Sequence, residues 1–478
     1  MPFNSIPFCV FFILFTGIFY LLKNNNSKIL LLIAGSWFFY SYLNIFNLIN
    51  LLFTTVVTFI IATQIKRKSN NKPYLIVGIL LIVMQLVITK YSSELANLLE
   101  INYFSETRFF NYLGLPIGIS FYSLQAIGLL IDIRNKNYEG DLRFKSISLF
   151  LSLFPQSISG PIHRAKELLP QFIHPSKFRV DNVVIGFKTM LWGYFCKLIV
   201  ADKISIIITP VFNAYFEQDG LSITIASLLY SLQIYFDFWG YSLIAIGAGR
   251  ILGFTININF NAPYLATSFR EFWHRWHITL SKWMRDYIYI PIGGRKQKGY
   301  TLFLCSIFIT FLVSGFWHGI TTNFILWGAT HATLYLIEDL VRRQQQSLPS
   351  FVKSYFALKF IRSLKIVLFF VVISLTWLIF RTNNILELEM LFKKMATISN
   401  WSVKNVITNY LTMTNVIYFI IIILALFLTQ TNFLKQKTET MPYTKMDTIT
   451  DSAFICFCSA LIILLGDVGG QEFLYFRF

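Results

Sequence analysis

Three of the chain's six histidines fall between residues 274 and 318, in FREFWHRWHITLSKWMRDY and SGFWHG. His274 and His277 stand among Phe269, Phe272, Trp273, Trp276 and Trp283, interleaved with Arg270, Glu271, Arg275, Lys282, Arg285 and Asp286. His318 is different, a single ionisable residue between Trp317 and Gly319 with apolar runs on either side. Ionisable groups at membrane depth are rare and usually face a cavity. Histidine is also the side chain best matched to proton transfer near neutral pH. The chemistry these residues leave open is that of a histidine base working on an already activated donor. The plainer reading of His318 is a core histidine bonded to a carbonyl. There is no P-loop, GxGxxG, HExxH or GxSxG, so nucleotide, metal and serine-hydrolase chemistry have no sequence support.

Placed on one helix at about 100° per residue, Phe269, Phe272, Trp273, Trp276, Leu280, Trp283 and Met284 share a face about 120° wide. Glu271, Arg275 and Lys282 lie opposite, His277 sits at the border, and His274 lies further toward the polar side. Such a helix lies at a membrane boundary, either as a simple anchor or as a wall of the reacting channel. Pro291 and Gly293-Gly294 end the segment. His331, on the next apolar segment, is a second candidate whose first reading is structural. Asp237, in YFDFWGY, is expected to pair with a cation or a backbone donor, and Asp132 to mark the end of a span.

The elements that must position these residues are membrane helices. Of 478 residues, 55% are hydrophobic and 13% charged, against about 25% charged in soluble domains. The net charge of +18 does not indicate nucleic acid, because the basic residues cluster in short loops beside apolar runs, the positive-inside pattern. At roughly 20 residues per span, the length allows ten or so helices. Spans are expected at 6–22, 29–43, 45–65, 74–90, 109–131, 183–208, 221–249, 301–317, 322–337, 364–380, 415–434 and 452–466, with a mixed loop at 384–412. Basic loops at 23–28, 66–72 and 132–145 place those loops in the cytoplasm and the N-terminus outside. Pro116 and Gly118 predict a broken helix. Pro155, Gly160, Pro161 and Pro170 predict irregular, buried backbone over 146–182, and Lys166, His174, Lys177 and Arg179 assign it to the cytoplasm. The loop 91–108 carries Glu94, Glu100 and Glu106 against Arg108. The cysteines Cys9, Cys196, Cys305, Cys456 and Cys458 are read as packing residues without disulfides.

The set FREFWHRWHITLSKWMRDYIYIPIGG, SGFWHG and FILWGATH resembles the membrane-bound O-acyltransferase family, and its bacterial polysaccharide branch in particular. LGLPIGISFYSLQAIGLLID, FPQSISGPIHRAKELLPQF, LQIYFDFWGYSLIAIGAGRILGF and the tail FLYFRF extend the likeness. It implies an all-α polytopic membrane protein, a ring of about 11–13 spans with re-entrant and interfacial helices around a central tunnel. One integral domain would occupy 1–478, with a motif core at about 110–340 and further spans over 360–478. His318 matches the family's essential histidine and His277 its second. Trp273, Trp276, His274, Arg285, Asp286, Trp317 and Asp237 would line the substrate tunnel, with no metal and no bound cofactor. Trp239, Leu243 and His163 depart from the branch's usual residues.

The implied reaction passes an acyl group, acetyl first, from a cytoplasmic thioester such as acetyl-CoA to an extracytoplasmic polysaccharide (peptidoglycan, alginate or similar). The setting would be the bacterial inner membrane, with a separate SGNH esterase-like partner. Two alternatives stay open: D-alanyl transfer to teichoic acid from a carrier-protein thioester, and a transporter or flippase without acyl chemistry.

Overall fold

The computed structural model describes residues 1–98, 118–157, 160–173, 178–294, 299–345, 355–430, 445–467 and 473–474. Glu100, Glu106, Arg108, Pro116, His174 and Lys177 lie outside them. The described residues form helices and irregular segments, with no strand among them. They divide into two compact units. One comprises Met1–Tyr194, Gly240–Ile258 and Pro442–Arg477; the other comprises Phe195–Trp239, Asn259–Met441 and Phe478.

The first unit opens with helices Ile6–Leu21, Asn25–Ser41 and Ile45–Arg67. Each starts at a polar cap. The side chains of Ser5, Asn24 and Asn44 accept from the backbone N–H of Phe8, Asn26 and Phe46, which satisfies donors that a helix start leaves open. Helices Lys72–Leu98 and Ile119–Arg134 follow. Apolar sequence leaves few polar anchors here, and those present are paired: the Thr54 hydroxyl donates to Gln85 at 2.7 Å, and the Gln85 amide donates to the Asn50 carbonyl at 2.8 Å. Phe154 packs edge-on against Phe11 and Phe15, at 5.3 and 5.2 Å. The helix Val180–Tyr194 crosses the end of Gly220–Ile251 at two glycine pairs. A Cβ on Gly186 or Gly193 would stand 2.7 Å from the carbonyl oxygen of Gly247 or Gly240, so only glycine permits this approach.

The second unit holds a helical hairpin, Tyr300–His318 and Thr322–Gln345, beside Tyr355–Arg381. It also holds the short helices Phe269–Arg275 and Ile278–Met284 and a π-helical turn, Arg285–Tyr289. The single helix expected over 269–286 is therefore two seven-residue helices and a π turn. They break where His277 takes a left-handed backbone, φ 41°. Pro291 sits inside the short helix Ile290–Ile292, and Gly293, φ 133°, ends it.

Two other expectations change. The span at 183–208 is interrupted by a π-helical segment, Phe195–Ala201, before Asp202–Asn213. The mixed loop at 384–412 contains helices Ile385–Ala396 and Val403–Tyr410. Asn384 and Ser402 cap them, short polar signals that an apolar-run reading passes over.

Five described helices are long and apolar enough to cross a membrane: Ile45–Arg67, Lys72–Tyr91, Gly220–Ile251, Tyr300–His318 and Phe360–Arg381. The pair Val403–Tyr410 and Met413–Leu426, bent by 82°, makes a sixth if taken as one span. Other expected spans are shorter; the 16 residues of Ile6–Leu21 reach roughly 24 Å at 1.5 Å per residue. The expected span at 322–337 runs on into Glu338, Asp339, Arg342 and Arg343. The result is an all-α, multi-pass membrane architecture.

Candidate active site

His318 ends the Tyr300–His318 helix and is 4% exposed. Its position follows from the hairpin. A Cβ on Gly315 would lie 2.4 Å from the Phe324 carbonyl oxygen, so glycine lets the two helices close just before the turn. Asn323, in the first turn of the second helix, donates to the carbonyl and hydroxyl oxygens of Thr382 at 2.6 and 2.9 Å. That ties the hairpin to the end of the Tyr355–Arg381 helix. The His318 ring is enclosed by Trp317 (4.8 Å between centroids), Phe380 (5.1 Å, edge-on) and Trp327 (5.3 Å, edge-on).

The His277 side is built on Asn259 and Ser268. Ser268 caps the helix, its hydroxyl accepting from Glu271 N–H at 3.1 Å, and the Glu271 carboxylate accepts from the N–H of Thr267, one residue before the cap, at 2.9 Å. Burial raises the Glu271 carboxyl, but the Thr267 N–H and Arg275 outweigh it and hold it below its ordinary range. Past the break, Ile278 N–H donates to the Asn259 carbonyl at 2.9 Å, and the Thr279 hydroxyl donates to Asn259 Oδ1 at 2.6 Å. His277, 1% exposed, thus sits at a pinned corner. Its ring meets Phe238 at 4.7 Å and Trp317 at 6.2 Å. Burial pushes its pKa down to about 3, so the imidazole is neutral, with one donor and one acceptor nitrogen.

The structure therefore joins His277 and His318 through one ring, Trp317, which touches both. The other sequence candidates distribute around this pair. Trp273 meets Phe311 at 5.4 Å and Trp327 at 5.9 Å. Trp276 packs apart from it, stacked on Phe272 at 5.5 Å and against Trp377 at 4.7 Å. His274 is exposed. Arg285 pairs with Asp286 at 2.8 Å, both toward the surface. Asp237 is held elsewhere: Lys197 Nζ lies 2.6 Å from it and 2.8 Å from Asp202, all three buried.

A cavity of about 480 Å³ is lined by Ile278, next in sequence to His277, and by Ser314, one turn before His318, while neither histidine lines it. Arg270, Lys282 and Arg285 supply its cationic wall, and Trp273 and Phe311 its aromatic one. A second cleft of about 530 Å³ shares Arg270 and His274 and adds Glu271, Glu338, Arg342 and Lys365. Arg270 is fixed by the Tyr335 hydroxyl at 3.2 Å and Asp339 at 3.5 Å. Sequence reasoning missed Arg270, Trp327, Phe380 and Lys197 as site or support residues. Trp327 was findable, one turn before His331 on the same helix face; Phe380 carried no signal beyond its apolar run.

These observations describe a multi-pass membrane protein with a buried histidine at a helix end and a cationic, aromatic cavity among the same helices. The chain belongs to the membrane-bound O-acyltransferase family, whose model matches residues 29–379, and it is an acyltransferase. It is 32% identical to a probable alginate O-acetylase of Azotobacter vinelandii, over 85% of this chain and 80% of that one. It is 31% identical to a peptidoglycan O-acetyltransferase of Helicobacter pylori, over 76% and 72% of the two. A teichoic acid D-alanyltransferase of Bacillus subtilis is 28% identical, over 46% of this chain and 57% of that one.

Proposed function

We propose that this chain moves an acetyl group from a cytoplasmic thioester, acetyl-CoA, to a hydroxyl of an extracytoplasmic cell-envelope polysaccharide, with His318 as the base. The observation that carries the reading is a buried histidine, His318, whose ring meets Trp327 and through it Trp273, a wall of a cavity that is both cationic and aromatic. The cationic residues suit the phosphates of the donor, and the aromatic ones keep water from the thioester. His318 takes the proton from the acceptor hydroxyl as its oxygen attacks the carbonyl carbon. The C–S bond then breaks, the electron pair leaves with sulfur, and the proton passes to the thiolate. His277, neutral and joined to His318 through Trp317, orients that base.

The inner membrane is the setting that this donor and acceptor require. A separate extracytoplasmic esterase-like partner would receive the acyl group where the polysaccharide lies beyond the chain's reach. Acetyl is favoured over D-alanyl because the O-acetylase relatives match 76–85% of the chain and the D-alanyltransferase under half.

The test is genetic and chemical. Cells lacking the chain are complemented with wild type or His318→Ala, and the acyl groups released from envelope polymers by mild base are identified. Acetate restored by wild type and absent with His318→Ala, at equal membrane levels of protein, is the expected result. Acetate restored by His318→Ala rejects the base, and D-alanine in place of acetate rejects the donor.

A further inference from the structure

His331 has no task in that scheme. It is 0% exposed, and neither ring nitrogen has a hydrogen-bond partner among the described residues. The indole N–H groups of Trp273 and Trp327 are likewise unpaired there. The three rings form a triangle: His331 to Trp327 at 4.7 Å, His331 to Trp273 at 5.2 Å, and Trp273 to Trp327 at 5.9 Å. Buried polar groups are nearly always paired, so three in mutual contact point to a guest that brings an acceptor. The guest must also fit between aromatic faces.

The triangle's neighbours identify it. On one side, Trp273 and Phe311, whose rings meet His331 at 5.2 and 6.1 Å, line the 480 Å³ cavity. On the other, Trp327 meets the His318 ring at 5.3 Å. The triangle thus connects the cavity that suits the donor to the candidate base. The part of the donor that must reach that base is the thioester carbonyl, a small acceptor-bearing group with an apolar methyl.

We infer that His331, with the indoles of Trp273 and Trp327, is the hydrogen-bonding subsite for the donor's acyl carbonyl oxygen. The inference rests on the acyl-thioester reading above. When the acceptor oxygen adds to the carbonyl carbon, the C=O electron pair moves onto oxygen. N–H groups already in place stabilise that charge without reorganising. Collapse returns the pair, breaks the C–S bond and releases the thiolate, which takes the proton from His318. His331 itself exchanges no proton, so its loss lowers kcat without moving the pH profile.

The experiment uses the full chain in lipid nanodiscs with acetyl-CoA, and a methyl ketone analogue of acetyl-CoA carrying methylene in place of sulfur and 13C at the carbonyl. His331→Phe keeps the ring volume and removes both nitrogens. It is expected to lower kcat about 10- to 100-fold with the donor KM within about threefold. His331→Gln, which restores an N–H, is expected to recover most of the loss. The 13C=O stretch of the bound analogue should fall to lower wavenumber on wild type and rise again on His331→Phe. Trp327→Phe, which keeps a ring and loses one N–H, provides the same infrared reading should His331→Phe fail to insert. An unchanged kcat, or a stretch identical in wild type and variant, overturns the subsite. Absence of acetyl transfer and analogue binding in wild type overturns the donor reading, and the subsite with it.

Discussion

His163 and His331 are both buried histidines, yet they are opposites in chemistry. His163, in the first unit, is 2% exposed and fully partnered: Nδ1 donates to the Pro161 carbonyl at 3.0 Å and Nε2 accepts from Asn257 N–H at 3.1 Å. Because Nε2 accepts a backbone N–H, the tautomer is fixed. Glu167 continues the clasp by accepting from the Asn257 amide at 2.8 Å, and Gln171 brackets Thr255 with bonds of 2.8 and 3.2 Å. These bonds tie the Pro161 carbonyl and the Ala165–Ile173 helix to the backbone of Thr255 and Asn257. His331 sits in aromatic surroundings with neither nitrogen paired among the described residues. Burial alone does not separate a structural histidine from a functional one; the accounting of its nitrogens does.

Each prediction sets a paired group against an unpaired or reacting one. The largest effect belongs to His318→Ala, which should cut acyl transfer by about 10²–10⁴-fold and leave the melting temperature near that of wild type; a matching loss of both would make His318 another clasp. Lys197→Met should act in reverse. It removes the ammonium that Asp237 and Asp202 share from two buried carboxylates and should cost about 3–5 kcal/mol of stability, read as a lower unfolding midpoint in detergent.

His163→Leu removes two hydrogen bonds and leaves the Asn257 N–H and the Pro161 carbonyl without them. A loss of about 1–3 kcal/mol is expected, with kcat of the folded fraction unchanged, the contrast to His331→Phe. An equal fall in kcat in both variants would dissolve the comparison.

The smallest effect is a pH dependence. Burial lowers the His163 pKa to about 4 from an ordinary 6.5, so the unfolded chain binds the proton more readily. Stability from this group is whole above pH 6.5 and declines as pH falls toward 4. At pH 5 the loss is about 2 kcal/mol. Melting curves of wild type and His163→Leu between pH 7 and 5 should converge; parallel curves would remove His163 as the cause.

Much of the site was legible in the residues. His318 in its apolar field, the cationic and aromatic mixture at 269–286, and an ion-paired Asp237 were all read from type and context, and all are where such reasoning places them. The helical face drawn for 269–286 failed at one residue. His277 takes a left-handed backbone because Asn259 and Asn261 capture the groups on either side of the break; Asn261 N–H donates to the Arg275 carbonyl at 3.0 Å. Those partners lie 14 and 19 positions upstream of the groups they bind, beyond any local periodicity. Among the described residues, short or charged helices such as Ile6–Leu21 and Thr322–Gln345 stand outside the five that are long and apolar enough to cross a membrane by themselves, a difference that apolar runs in the sequence do not display.

By itself the sequence determined the class: an apolar, multi-helix membrane chain whose rare buried ionisable groups mark its chemistry, since composition and hydrophobic patterning are local properties. Only the tertiary structure decided which of those groups lie together. It set Trp317 between His277 and His318, gave Lys197 to Asp237, and satisfied His163 while leaving His331 in its aromatic triangle. The physical reason is that a hydrogen bond or ring contact forms between residues far apart in sequence, and whether a buried nitrogen finds its partner depends on how the helices pack.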